Sequence, residues 1–378
     1  MMSFAGKVVF AGGGTGGHVY PALACIESLQ RKGNYDILYV GGYRGIENKI
    51  VPRFHYAFKK IWISGFQRTL MLKNMLFPFK LLISLFQSLF ILLKYKPDAV
   101  VGTGGYVSGP VVYTAAKMGI PTLVQEQDSY PGVTTRLLAR YCDVVCVPYE
   151  EVIPLLKNVR GSVLVTGVPV RDSLTLPDRQ SALKEWNFRA DSPVILIFGG
   201  SQGAQSLNRA MLNITPKIMD QSPVQLLWQT GERNFEEVQK SPLSVLAGIK
   251  IVDYIHAMEK AYAAADIIIS RAGAITLAEL SRVQKPCILV PYPFAAAQHQ
   301  EKNAQTIASL GAAIIVREGE GFEAKLEESL RKLLNDRQQA AEMGKQWQKV
   351  YRPEAAEKIT QEIINLMAKE NEYQTGKN

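Results

Sequence analysis

Val8-Val9-Phe10-Ala11-Gly12-Gly13-Gly14-Thr15-Gly16-Gly17-His18 runs from an apolar segment into glycines, and the helix-forming Pro21-Ala22-Leu23-Ala24 follows at once. A strand that empties into small residues and then into a helix leaves backbone N–H groups at a helix N-terminus, which suit a phosphate or a developing oxyanion. His18 stands at that turn, where a neutral imidazole can accept a proton near pH 7. The glycine spacing does not follow the dinucleotide pattern, which needs an acidic residue about 20 positions on. Asp36 precedes a new strand instead of ending one.

Outward from this turn, short apolar runs alternate with helical patterns. Lys7–Phe10, Ile37–Val40, Ala99–Val101, Thr122–Gln125, Val144–Val147 and Ser162–Thr166 read as strands. Their uniform apolarity fits a parallel sheet buried on both faces. A second series follows the Pro- and charge-rich segment Val168 to Arg179: Val194–Phe198, Val224–Trp228, Ile249–Val252, Ile267–Ile269, Cys287–Val290 and Ala313–Ile315. The expected fold class is therefore α/β, two doubly wound Rossmann-like domains facing across a cleft. Expected domains are 1–165, 166–352, and a helix plus frayed tail over 353–378 that packs back on the first domain.

Bulk properties agree. The chain has 378 residues, too many for the usual single core, with 47% apolar and 20% charged residues. Its net charge of +9, from 43 Lys+Arg against 34 Asp+Glu, favours an anionic partner. Nucleic acid, an acidic membrane face and a phosphorylated substrate are all compatible with that bias. Cys25, Cys142, Cys146 and Cys287 are scattered through apolar segments without clustered histidines, which reads as reduced, buried thiols of a cytosolic protein. Met1 to Phe10 leads into the first strand and does not have the form of a secretion signal.

Ile61–Tyr95 stands apart. Its Leu76–Leu93 stretch approaches the length of a bilayer span, but Pro78, Lys80 and Gln87 interrupt it. Part of it is expected to cover the sheet. The surplus Trp62, Phe66, Leu70, Met71, Leu72, Phe77 and Phe79, interleaved with Arg68, Lys73 and Lys80, matches an in-plane membrane contact. A helix buried in a dimer or domain interface is the competing reading.

The second domain opens with Phe198-Gly199-Gly200-Ser201-Gln202-Gly203, again a strand running into glycines and a helix. Ser201 there can donate to a pyrophosphate or cap the helix. After Ser270-Arg271-Ala272-Gly273, Glu279 falls on a small, apolar helix face, where a carboxylate can accept from both ribose hydroxyls or form a solvent salt bridge. Gln298-His299-Gln300 groups amides and an imidazole suited to sugar hydroxyls. No Asp-x-Asp occurs, which removes the commonest protein-held cation site for a nucleotide sugar.

In combination, Gly13-Gly14-Thr15-Gly16-Gly17-His18-Val19-Tyr20-Pro21, Gly102-Thr103-Gly104-Gly105-Tyr106-Val107-Ser108-Gly109-Pro110, Glu126-Gln127-Asp128, Gly167-Val168-Pro169-Val170-Arg171, Gly199-Gly200-Ser201-Gln202-Gly203 and Arg271-Ala272-Gly273-Ala274 carry a specific likeness. From about Lys7 to Ile363 the chain resembles the glycosyltransferase family 28 enzymes that add N-acetylglucosamine to lipid I in peptidoglycan synthesis. The resemblance implies the GT-B fold, inversion at the anomeric carbon and work at the cytoplasmic face of the inner membrane. It implies that Ser201, the backbone around Ile255 (uracil), Glu279 (ribose), His299, Gln300 and Arg171 hold UDP-N-acetylglucosamine. Thr15, Gly16, Gly17 and Asp128 resemble the first-domain side of the sugar site. Asp128 stands where the family often has Asn, and an ionised carboxylate cannot donate; His299 stands where some members have Gln.

The implied reaction is attack of the muramoyl C4 hydroxyl on C1 of the donor sugar, which requires a base. His18 is the expected base; its alternative role is to fix the glycine turn through a loop carbonyl. Gly13, Gly14, Tyr106 and Glu126 fall on the acceptor side. Tyr106 is alternatively a ring packed over the sheet, and Glu126 either orients His18 or meets the acceptor. Expected partners are UDP-N-acetylglucosamine, lipid I, an anionic membrane surface through Ile61–Leu93, and other cell-wall and division proteins, with no nucleic acid. No tightly bound cofactor is expected, only loosely held Mg²⁺ on the diphosphate. Competing classes are a transferase with a diacylglycerol acceptor, a UDP-sugar 2-epimerase, a nicotinamide or flavin oxidoreductase, and a non-catalytic membrane scaffold.

Overall fold

A computed structural model describes residues 4–65, 76–171, 174–200 and 203–375. The chain divides into two units, one of residues 1–171 with 352–378 and one of residues 172–351. The first holds a seven-stranded sheet of β1 (Gly6–Ala11), β2 (Tyr35–Gly42), β3 (Ala57–Ile61), β4 (Ala99–Gly102), β5 (Thr122–Gln125), β6 (Val144–Val147) and β7 (Ser162–Val165), ordered β3-β2-β1-β4-β5-β6-β7. The second holds a six-stranded sheet of β8 (Val194–Phe198), β9 (Gln225–Gln229), β10 (Ile249–Val252), β11 (Ile267–Ser270), β12 (Cys287–Leu289) and β13 (Ala313–Ile315), ordered β10-β9-β8-β11-β12-β13. All pairings are parallel, and β1 lies between partners on both sides, with Val8 opposite Ile37 and Ala99. In each sheet the strand order reverses beside the first strand of its unit. The carboxyl ends of the strands flanking such a switch point are where open α/β sheets bind ligands.

Strands β4, β5, β6, β8 and β9 are buried throughout, as their apolar runs require. Strand β3 went unread because Ala57-Phe58-Lys59-Lys60-Ile61 is a mostly exposed edge strand, and edges carry lysine. The division falls after Arg171 and not after residue 165, so Gly167 to Arg171 belongs to the first unit. Gly167 has φ +87°, and a Cβ there would lie 2.5 Å from Arg352 Cβ, which ties this segment to the start of the closing helix. That helix, Ala355–Thr375, packs on the helix Gly16–Lys32. Its Ile359, Ile363 and Met367 share one core with Val8, Phe10 and Ile26. All four cysteines are buried and free of disulfides.

The helix Phe77–Tyr95 is inverted relative to an ordinary amphipathic helix. It buries Ser84, Ser88 and Leu92 and exposes Phe79, Leu82, Phe86, Phe90 and Leu93. Ser84 and Ser88 satisfy their hydroxyls on the helix's own carbonyls, Ser88 Oγ donating to Ser84 O at 2.7 Å, so small polar residues can line the inner face. That face lies on the helix Gly105–Lys117. Far less of the apolar surface covers the sheet than the sequence leads one to expect. Phe77 is the exception among the surplus residues, being packed against the core that holds Leu92 and Val107. Phe66, Arg68, Leu70, Met71, Leu72 and Lys73 lie outside the described residues.

Candidate active site

At the first switch point three strand ends converge. After β1, Gly12 to Thr15 leads into the helix Gly16–Lys32, whose N-cap Thr15 makes no side-chain capping bond. After β4, Thr103 and Gly104 lead into the helix Gly105–Lys117, and after β5 comes Glu126-Gln127-Asp128. Thr103 Oγ1 donates to His18 O at 2.7 Å, and Ser108 Oγ donates to Ala11 O at 2.8 Å, so the β1 and β4 turns are braced together. Glycine is required at the crossing: a Cβ on Gly105 (φ +75°) would sit 2.3 Å from Gly13 O.

His18 lies in the first turn of its helix, half-buried, with Nδ1 2.7 Å from Gln127 Nε2. Glu126 does not orient the imidazole directly. Its carboxylate faces its own loop: Oε1 accepts from the N–H of Gln127 (2.9 Å) and Asp128 (3.0 Å), and Oε2 from Gly132 (2.9 Å). Burial, and then the Asp128 charge, push Glu126 up to about 7, against the pull of those donors. The residue that meets His18 is Gln127, inside a quoted motif but given no role by sequence reasoning.

A second unforeseen group is Glu47, wholly buried beneath the glycine turn. Its oxygens accept from Gly14 N–H at 2.9 Å and Gly42 N–H at 3.1 Å. A Cβ on Gly13 would lie 2.4 Å from Glu47 Oε1, so the carboxylate shapes the turn from below. Nothing in Gly45-Ile46-Glu47-Asn48 separates this glutamate from a surface one. Tyr106 packs its ring over Gly14, where a Cβ would be 3.0 Å from Cε1, and donates to Arg44 O at 2.8 Å. Asp128 is half-buried on the loop that Glu126 clamps. Arg171 belongs to this unit, its guanidinium carbon 5.2 Å from the Tyr20 ring centre.

The second unit repeats the arrangement. Gly200 (φ +83°) and Gly203 (φ +75°) close a turn, Gly203 N–H donating to Gly200 O at 3.0 Å. The helix Gln205–Met219 follows with no side-chain cap at Ala204, leaving its first N–H groups to an anion or water. Ser201 lies outside the described residues. Gln229, at the end of β9, ties this turn to the loop after β10: Nε2 donates to Gly200 O at 3.1 Å and Oε1 accepts from Ile255 N–H at 2.9 Å. The Ile255 N–H is thus already engaged, which leaves the carbonyl as the backbone group offered there.

Glu279, on the helix Ala274–Val283, accepts from the Tyr262 hydroxyl at 2.8 Å. Burial and that carboxylate hold Tyr262 protonated well beyond its ordinary range, so the phenol stays a donor and orients Glu279. Arg271, nearly buried, donates to Val290 O (3.1 Å), Pro291 O (3.3 Å) and Ser206 Oγ (3.2 Å) and pairs with Glu318 at 2.5 Å. It therefore braces the loop after β12. There, Gln300 Oε1 accepts from Tyr292 N–H at 2.9 Å. His299 begins the helix His299–Ser309 directly after Ala297 (φ 53°) and Gln298 (φ 55°), two consecutive left-handed residues that are not glycine. Such strain concentrates at ligand sites. Among the described residues no group of three or more His, Cys, Asp or Glu side chains is placed to hold a metal ion.

Comparison with known proteins fits both halves. Residues 8–147 match the glycosyltransferase family 28 N-terminal domain, and residues 194–359 match the glycosyltransferase family 28 C-terminal domain. The UDP-N-acetylglucosamine–N-acetylmuramyl-(pentapeptide) pyrophosphoryl-undecaprenol N-acetylglucosamine transferase of Desulforamulus reducens is 39% identical over 375 residues, covering 96% of this chain and 100% of the relative. The enzyme of the same name from a Thermoanaerobacter species is 42% identical over 365 residues, covering 95% and 100%. Among solved structures, MurG of Acinetobacter baumannii superposes with a TM-score of 0.76 at 30% identity, covering 95% of this chain and 99% of that one.

Proposed function

The chain belongs to glycosyltransferase family 28, and from that premise we propose that it transfers N-acetylglucosamine from UDP-N-acetylglucosamine to the C4 hydroxyl of N-acetylmuramoyl-pentapeptide-pyrophosphoryl-undecaprenol. The observation that carries this reading is identity of about 40% over nearly the whole length with transferases named for that donor and acceptor. The fold is GT-B, and the enzyme is a hexosyltransferase of peptidoglycan synthesis.

The second unit carries the nucleotide in this reading. The uncapped N-terminus of the Gln205 helix takes the pyrophosphate, together with Ser201 and Arg171. Glu279, held by Tyr262, accepts from the ribose hydroxyls, and the Ile255 carbonyl accepts from the uracil N–H. His299 and Gln300 hold the sugar; Gln300, with its carbonyl oxygen on Tyr292 N–H, keeps its amide NH₂ as the donor. Mg²⁺, where it takes part, travels on the diphosphate oxygens. In the first unit Thr15, Gly16, Gly17 and Asp128 serve the sugar, while Gly13, Gly14, Tyr106 and Glu126 shape the acceptor side. His18 removes the C4 hydroxyl proton as the new O–C1 bond forms. The C1–O bond to the β-phosphate breaks, UDP leaves, and C1 inverts.

The lipid-linked acceptor gives the exposed face of Phe77–Tyr95 a use. The helix is long and apolar enough to span a bilayer, with mean hydropathy 1.6. Its Ser84-Ser88-Leu92 face is nevertheless committed to the Gly105 helix, and Gln87 Oε1 accepts from Trp62 N–H at 2.7 Å. A helix fixed along one side to a water-facing unit lies in the membrane surface and does not cross it. Lys80, 5.8 Å above the Trp62 ring, and Lys94 supply charge for anionic headgroups on the cytoplasmic side of the inner membrane. Contacts with other cell-wall and division proteins form part of the same reading.

Transfer of radiolabelled N-acetylglucosamine to lipid I, compared with a diacylglycerol acceptor, tests it. Lipid I is expected to be glycosylated and the glyceride left untouched; the reverse preference would replace the acceptor.

A further inference from the structure

Four glycines make room for one carboxylate beneath the first turn. A Cβ on Gly13 or Gly45 would collide with the Glu47 oxygens, one on Gly41 would lie 2.8 Å from Glu47 Cγ, and one on Gly42 would lie 3.4 Å from Oε1. Wholly buried there, Glu47 divides its oxygens between two backbone donors, Gly14 N–H at 2.9 Å and Gly42 N–H at 3.1 Å. Asn48 closes the loop around it, Nδ2 donating to Gly42 O at 2.9 Å and to Gly45 O at 3.3 Å. Burying a carboxylate is costly unless such donors meet it, and an apolar side chain would fill the space without that cost. The bonds themselves, and not the volume, are what the cage preserves.

The bond to Gly14 fixes the orientation of one peptide. In the trans Gly13–Gly14 unit the N–H of Gly14 and the C=O of Gly13 point to opposite sides. With the N–H drawn to Glu47, the carbonyl is turned toward Gly105, where a Cβ would collide with Gly13 O and lie 3.0 Å from His18 Cδ2. A Cβ on Gly104 would lie 2.7 Å from His18 Nδ1, so the segment that the Gly13 carbonyl backs is the one against which the imidazole packs. Glycine on both sides lets this peptide rotate at little torsional cost. Rotated, the Gly13 carbonyl would face the Glu47 oxygens, acceptor against acceptor, and its support of Gly105 would be lost. We propose that Glu47 is a positioning residue of the transfer reaction: it locks the Gly13–Gly14 peptide and thereby keeps the acceptor-side turn and the His18 imidazole in register. UDP, carried by the second unit, is untouched by it. This inference rests on the reading of His18 as the base.

Two variants of the full-length protein test this, each followed by transfer kinetics with lipid I, UDP calorimetry and hydrogen exchange resolved to single amides. Glu47→Met removes both acceptors at nearly constant volume. Its Gly14 amide should exchange faster than in wild type and its kcat should fall by about tenfold to 10²-fold, with the UDP dissociation constant within about twofold of wild type. Glu47→Gln keeps one acceptor and turns an NH₂ toward the other N–H, so its kcat should follow Gly14: near wild type if that amide stays protected, reduced if it opens. A role in stability alone would not tie kcat to one amide. Should Glu47→Met fail to fold, the pairing of exchange and kcat in Glu47→Gln decides. Wild-type kcat with an opened Gly14 amide, or reduced kcat with Gly14 still protected, would refute the positioning role. So would a lower KM for lipid I in either variant, since that would make the turn a cradle for the acceptor pyrophosphate which the Glu47 charge opposes. Full turnover in His18→Ala fails the base reading alone; a slow His18→Ala beside a fast, opened Glu47→Met fails the positioning role alone.

Discussion

Truncation of His18 is expected to act on the chemical step alone. His18→Ala should slow transfer by roughly 10²- to 10⁴-fold, the usual range for a lost general base, while UDP binding measured by calorimetry stays within about twofold. Unchanged steady-state turnover with lipid I would refute the assignment. Glu126 makes a separate prediction about stability. The folded protein keeps its proton up to about pH 7, whereas the unfolded chain releases it near 4.5. The folded state therefore binds more protons in that window, so this contribution favours folding at low pH and fades as pH rises to about 7. In Glu126→Gln the amide presents an NH₂ toward Gly132 N–H, which costs about 1–3 kcal/mol. Urea titrations from pH 5 to 8 should show the wild-type advantage over this variant shrinking as pH rises; a constant gap would contradict the raised carboxyl. Residue identity alone marked His18 and Glu126 for attention. It could not pair His18 with Gln127, or place Glu47 beneath the glycine turn, because both are ordinary polar residues until the strand ends become neighbours.

Among the elements, the helix Phe77–Tyr95 separates pattern from placement most clearly. Phe79 is 65% exposed and Phe90 68%. Serine at Phe79, Phe86 and Phe90 should sharply weaken sedimentation with anionic liposomes, since each buried aromatic contributes roughly 1.5–3 kcal/mol to partitioning. Unfolding midpoints should barely move, because those side chains leave the core untouched. Undiminished liposome binding would return the membrane contact to another surface. Phe77, which looks equivalent in the sequence, is excluded from the set because it packs inward. The apolar run was legible, but its face was not: with nearly every position apolar, periodicity carries little information, and the small serines chose the buried side by letting the Gly105 helix approach. Strand β3 failed for the opposite reason, since an exposed edge needs no apolar run.

For the whole molecule, the closing helix belongs to the first unit although the second unit separates them in the chain. Ile363 is wholly buried against the first sheet's core, so Ile363→Ala should cost about 2–5 kcal/mol. Calorimetry should show the loss in the unfolding of the first unit, with UDP still protecting the second; an unshifted first transition would contradict the packing. Two α/β units, their parallel strands and the glycine turns that end β1 and β8 could all be read from the chain, because buried parallel strands are continuous apolar runs and such turns need glycine locally. The family likeness followed from motifs a few residues long. Tertiary structure alone decided that Arg171 stacks on Tyr20 in the first unit, that Gln229 engages the Ile255 N–H, and that Gln127 meets the His18 imidazole while Glu126 turns to its own loop. Those outcomes depend on which strand ends become neighbours at a switch point, a relation among residues as far apart as His18 and Gln127. The opening turn thus shows its chemistry in the chain, and the groups that tune it only in the fold.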